Sequence, residues 1–381
     1  PNPQSPIPNP QSPIPKLNAI YFIIKLKFKL LFKNKNLFSF KKKMNSVSNN
    51  INTYSLSCSP SYLINNLSQS KDFLYFIHNS QSCPRVISIN KKLLKEKNIN
   101  KSVSVFNSSE KNEMLHIKCI SMKDSDYIAI GLYNGFKLWN KEGNRLLFQM
   151  SKPNIKQNKI YAFTFCSEFL LNTEINKDYP DSILASDNYG QLFLIYGSKS
   201  SWKSIKMFST PNAESILSIG TSIHTNNIGL TLDNGNVLIL KYENGEFNLM
   251  KKIEEDGRHN ISINCVIFSK KDKSEFFLAC GYINGEIRIY SMKDYNIKFS
   301  INSHLRSCGP MAVKDDNNII VGSDDGQINI WKYNDEENKI TLKSNYLFED
   351  RMIVGLNYDK DENCLYANYN DFPEVMVISN I

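Results

Sequence analysis

The sequence predicts an all-β fold: seven four-stranded sheets set as blades around an axis, a seven-bladed β-propeller closed by an N-terminal strand. Three observations lead there. First, a hairpin with a glycine turn recurs, with turn glycines at 135, 190, 235, 285 and 326, separated by 55, 45, 50 and 41 residues; blades of a propeller repeat at about 40–50 residues. Second, the runs between these turns alternate with period two, as in "YAFTFC", "ILSIG", "INCVIF" and "LKSNYLF", the signature of strands. Third, no long amphipathic helix is present; "NKKLLKEKNIN" is the best helical candidate.

The elements follow in chain order. "TYSLSCS" at 53–59 is an isolated strand, suited to be the outer strand of the last blade. Residues 61–90 hold "DFLYFIH" and "RVISIN", an early blade with a degraded turn. Five units then carry the glycine signature: "YIAIGLYNGFKLWN", "ILASDNYGQLFLIYGS", "NIGLTLDNGNVLILKY", "FFLACGYINGEIRIYS" and "NNIIVGSDDGQINIWKYN". Asn or Asp before Gly suits a tight turn, because both tolerate the left-handed region that Gly adopts freely. Residues 351–380 supply "RMIVGLNY", "NCLYANY" and "EVMVISN", three strands without a fourth. The N-terminal strand completes that sheet and covers its raw edge.

The 381 residues are 41% hydrophobic and 12% aromatic, a composition that packs a core. Residues 1–43 contain nine lysines and no acid, and the remaining 37 basic residues balance the 37 acidic ones. The basic surplus therefore belongs wholly to a segment that opens on Pro1, repeats "PNPQSPI" and interrupts every apolar run with lysine. Residues 1–50 are expected to be a disordered or non-native extension, with Met44 the expected start and 51–381 the propeller.

Chemistry-bearing motifs are sparse. The eight cysteines stand singly, without a CxxC knuckle, and are expected to be buried free thiols. The five histidines are scattered, so no metal and no cofactor is expected. "DKDEN" at 359–363 resembles the start of a calcium loop, but Cys364 and Asn370 stand where Gly and Glu are needed, so it is expected to be a turn between strands. No GxSxG, P-loop or GxGxxG occurs. A chain without converging carboxylates or histidines is not expected to be an enzyme.

The hairpin-plus-aromatic repeat resembles the WD-repeat family. One blade carries most of its marks: His304 stands 27 residues before Trp331, Asp325 six before it, and Ser323 lies at the turn, although Ser303 and Lys332 replace the family's Gly and Asp. The resemblance implies a buried hydrogen-bonded chain His304–Ser323–Asp325–Trp331 tying the inner strands together. It also implies a propeller used for protein interaction, with no catalytic residues to carry over. His259 precedes the Tyr290 blade as His304 precedes the Trp331 blade, and shares the structural reading.

Residues two before each turn glycine should point to one ring-shaped face: Tyr133, Asn188, Asp233, Ile283 and Asp324. Arg306, just after His304, should lie on the same rim. The expected function is a non-enzymatic, cytoplasmic scaffold that binds protein or peptide partners there, without nucleic acid or membrane, and able to serve as a subunit of a larger complex. The alternatives are an enzyme with a site in the central channel, and a membrane or nucleic-acid binder acting through the basic segment at 16–43.

Overall fold

The computed structural model describes residues 51–381 apart from 64, 80–83, 97–102, 106–112, 123–124, 152–162, 170–181, 199–200 and 255–259. Residues 1–50, His259 and Cys83 thus lie outside the described residues.

Seven four-stranded sheets form seven blades. Blade 1 is β2 (Ser68–Gln69), β3 (Phe73–Asn79), β4 (Pro84–Asn90) and β5 (Val103–Val105). Blade 2 is β6 (Met114–Ser121), β7 (Asp126–Leu132), β8 (Gly135–Asn140) and β9 (Leu146–Ser151). Blade 3 is β10 (Phe163–Phe169), β11 (Ser182–Asp187), β12 (Gln191–Ser198) and β13 (Ser201–Ser209). Blade 4 is β14 (Ile216–Gly220), β15 (Asn227–Leu232), β16 (Val237–Glu243) and β17 (Glu246–Ile253). Blade 5 is β18 (Ser262–Ser269), β19 (Phe276–Tyr282), β20 (Glu286–Ser291) and β21 (Ile297–Asn302). Blade 6 is β22 (Cys308–Asp315), β23 (Asn318–Ser323), β24 (Gln327–Asn334) and β25 (Lys339–Leu347). Blade 7 is β26 (Ile353–Asp359), β27 (Cys364–Tyr369) and β28 (Glu374–Ser379), completed by β1 (Ile51–Ser55) from the other end of the chain.

The first strand of each blade lies beside the first strand of the next, and β26 returns to β2, so the ring is closed. The reason is burial. A sheet with apolar side chains on both faces needs a neighbour on each side, and the hydrophobic core divides into seven clusters, one between each pair of consecutive blades. Blade 6 shows the rule in three residues. Ile319 and Val321 pack toward blade 5, while Ile320 between them packs toward blade 7.

The closing strand is where predicted, with an earlier span. It pairs Ile51 with Ile378 through Ser55 with Glu374, instead of running over 53–59. Beyond Ser55, Leu56 still donates its backbone N–H to Pro373 O and buries its side chain in the cluster with Leu74, Phe76 and Val375 between blades 1 and 7. Blade 1 has an innermost strand of only two residues, because Asn66 substitutes for strand backbone. Its side-chain Oδ1 accepts from Ile77 N at 2.7 Å and its Nδ2 donates to Ile77 O at 2.9 Å. The helical candidate is one short helix, α1 (Lys91–Lys95), capped by Asn90, whose side chain accepts from Leu93 N at 3.0 Å. Cys119, Cys265, Cys280, Cys308 and Cys364 are buried free thiols, and burial pushes the Cys265 thiol up to about 12.

Gly326 shows why the turn needs glycine. Its φ is +79°, and a Cβ there would run into the Phe348 carbonyl oxygen, which lies against it because Phe348 N donates to Gly326 O at 2.9 Å. Gly326→Ala is expected to cost about 2 kcal/mol or more, from left-handed strain together with the displaced strand end. Urea unfolding checks this; a change under about 0.5 kcal/mol would contradict the packing described.

Candidate functional site

The turns between the second and third strands of each blade lie at one end of the ring, with the loops that lead into each first strand. Backbone hydrogen bonds hold the two sets together. Tyr133 N donates to Glu113 O at 3.0 Å, Asp233 N to Ser215 O at 2.9 Å, Ile283 N to Ile261 O at 3.1 Å and Asp324 N to Ser307 O at 3.3 Å. Tyr133, Asn188, Asp233 and Ile283 are half-buried there and Arg306 is exposed.

Asp324 departs from its prediction as a rim residue. It is only 6% exposed, and its Oδ2 has no hydrogen-bond partner. Tyr62, in the segment between β1 and β2, bonds to this carboxyl. Desolvation, then the charge of Asp325, push its pKa up to about 7, against the lowering pull of Arg306 and Tyr62.

The network around Trp331 is partly as implied. His304 is buried, with Nδ1 3.3 Å from Asp325 Oδ1. The two face each other electrostatically without the alignment of a good hydrogen bond. Asp325 N donates to Ser323 Oγ at 3.2 Å, and the Asp325 carboxylate accepts from Gln327 N at 2.9 Å and Leu305 N at 3.0 Å. Burial would raise the Asp325 pKa, but His304 and these N–H groups outweigh it and hold it low. Trp331 is not joined to this chain as the resemblance implied. Its Nε1 donates to Ser303 Oγ at 2.9 Å. The physical reason is that Ser303, at the position of the family's glycine, brings a hydroxyl close to the indole. Asn329, which the sequence reading missed, donates to Ser303 O at 2.7 Å. Ser303 itself was a visible departure from the repeat; Asn329 had no signal beyond a polar residue at an inward-facing strand position.

The axial channel has a volume of about 250 Å³ and is bordered by residues of β6, β14, β18, β22 and β26 and by Asn65 and Leu67. Among the described residues lining it are one histidine, His116, and no carboxylate. Desolvation, then the charge of Lys118, pull His116 down to about 3, so it is neutral. Among the described residues no group of three or more His, Cys, Asp or Glu could hold a metal, and no helix is long and apolar enough to cross a membrane. Asp359, first residue of "DKDEN", accepts from Asp361 N at 3.0 Å and Glu362 N at 3.1 Å, which makes the motif a turn between β26 and β27.

No protein-family model and no curated protein matches the chain. Solved structures do, 1659 chains in all, so the fold is widespread and cannot by itself name a function. One match is a chain of "Crystal Structure of Mitotic Checkpoint Complex", with a TM-score of 0.63 and 10% identity, covering 90% of this chain and 99% of that one. Identity so low speaks for the fold alone. The chain is a seven-bladed β-propeller that resembles the WD-repeat propellers in fold.

Proposed function

We propose that the protein is a non-enzymatic scaffold that docks partner proteins or peptides on the face formed by its glycine turns. The observation that carries this is the loop 303–307. Ser303 N and His304 N donate to Gly285 O at 3.1 and 3.0 Å, Leu305 N is held by Asp325, and His304 is buried beneath. On this fixed base Leu305 is 87% exposed, beside exposed Arg306. A pre-ordered loop loses little entropy on docking. An exposed leucine gains by burial, and arginine is among the side chains that dominate interfaces. The structural neighbour drawn from a complex supports the same reading. So does the resemblance of "ACGYINGEIRIYSMKDYNIKFSINSHLRS" and the final "FPEVMVIS" to WD repeat-containing protein 54. The scaffold is proposed to act in the cytoplasm, as a subunit of a larger complex.

Co-purification with the tagged chain tests this. Leu305→Asp with Arg306→Glu is expected to reduce recovery of the co-purifying proteins about tenfold. Lys273→Glu, in the turn between β18 and β19 at the opposite end of the ring, should leave it unchanged. Equal recovery by both variants would remove this face as the docking surface.

A further inference from the structure

We propose that the axial channel is a binding site for a small oxyanion of the phosphate class, held by Lys118. The inference is independent of the docking face. Lys118 lies on β6, paired with Ala129, and is the one charged side chain among the described residues that line the channel. No carboxylate among the described residues forms an ion pair with it. A cation in a narrow space between low-dielectric walls attracts anions, because field lines concentrate there. His116, two residues away on the same strand, is neutral and adds no charge of its own.

Neutral donors border the same space. Asn65 has its Oδ1 engaged by Met311 N at 3.1 Å, which leaves its NH₂ to donate, and Asn357 adds a second amide. Size selects the ligand class. About 250 Å³ is below the roughly 300–1,000 Å³ of pockets for larger organic ligands. It is room for a tetrahedral ion with several waters, at about 30 Å³ per water. The charge selects an anion, and the amide donors suit one with several acceptor oxygens.

The experiment is thermal unfolding of the full chain at pH 7.5 in increasing inorganic phosphate, against sodium chloride at matched ionic strength, with direct calorimetric titration of phosphate. The midpoint should rise saturably with phosphate and not with chloride, as for any ligand that binds only the folded state. Lys118→Met should leave the chloride midpoint unchanged and weaken phosphate affinity about tenfold; Lys118→Arg should retain it, and Lys251→Met on the outer surface should have no effect. Equal response to phosphate and chloride would overturn the proposal. So would a wild-type phosphate response in Lys118→Met. If Lys118→Met does not fold, calorimetry on the wild type and Lys118→Arg decides, and absence of saturable heat in both is a negative result.

Discussion

Asp359→Ala is expected to lower the stability of the ring by about 3–5 kcal/mol. Asp359 Oδ2 accepts from Lys91 Nζ at 2.7 Å, and Lys91 is only 3% exposed. The same ammonium donates to Ser70 O at 2.8 Å and Gln69 Oε1 at 3.0 Å, and lies 5.2 Å from the Tyr366 ring centre. Lys91 belongs to blade 1 and Asp359 to blade 7, so the pair spans the seam where the two ends of the chain meet. Removing the carboxylate strands a buried ammonium, which costs far more than the pair is worth. The double replacement Lys91→Met with Asp359→Leu should therefore recover most of the loss. Lys95–Glu362, at 2.7 Å beside it but half-exposed, should contribute no more than about 1 kcal/mol.

The pH dependence has a definite sign. Burial would raise the Asp359 pKa, but Lys91 and the backbone N–H groups of Glu362 and Asp361 hold it below the ordinary 3.8. The stabilisation is thus fully present above about pH 4 and fades only as pH falls through the folded value. Urea midpoints of the single and double variants check the claim. A single variant losing under about 1 kcal/mol would show that the seam does not depend on the pair.

Asp324→Asn is expected to stabilise the protein by about 2–4 kcal/mol above pH 7. Here the folded pKa is raised, from 3.8 to about 7. Folding then takes up a proton between those values. The favourable contribution is complete below about pH 4 and is lost as pH rises through 7, where the buried carboxylate stands charged beside Asp325. Asparagine keeps the shape without the charge, so its advantage should be small at pH 4 and level off above pH 7. A gain that does not change with pH would point to packing instead of ionisation. A loss at pH 8 would mean that the charge is compensated by Arg306.

Local regularities were legible because they are written in neighbouring residues. Alternation such as Ile319–Ile320–Val321 reports two buried faces, and "SDDG" at 323–326 reports a tight turn. The pairing of β1 with β28 followed from a missing strand at one end and a spare one at the other, and only the span of the closing strand differed. The site was less legible. Leu305 and Ser303 could be read as polar-loop neighbours of His304, but their exposure and bonding could not. Tyr62 gave no sign that it would reach Asp324.

The amino-acid pattern alone determined the all-β class, the number of blades, the glycine turns and the need for a closing strand, because period and turn chemistry act over a few residues. Only the closed ring decided that Lys91 meets Asp359, 268 residues away, that Asp324 is buried, that Trp331 bonds Ser303 and that Lys118 borders the channel without a counter-charge among the described residues. These meetings depend on how the seven sheets pack around one axis. Alternation along a strand says that a side chain will be covered, but not which distant residue covers it.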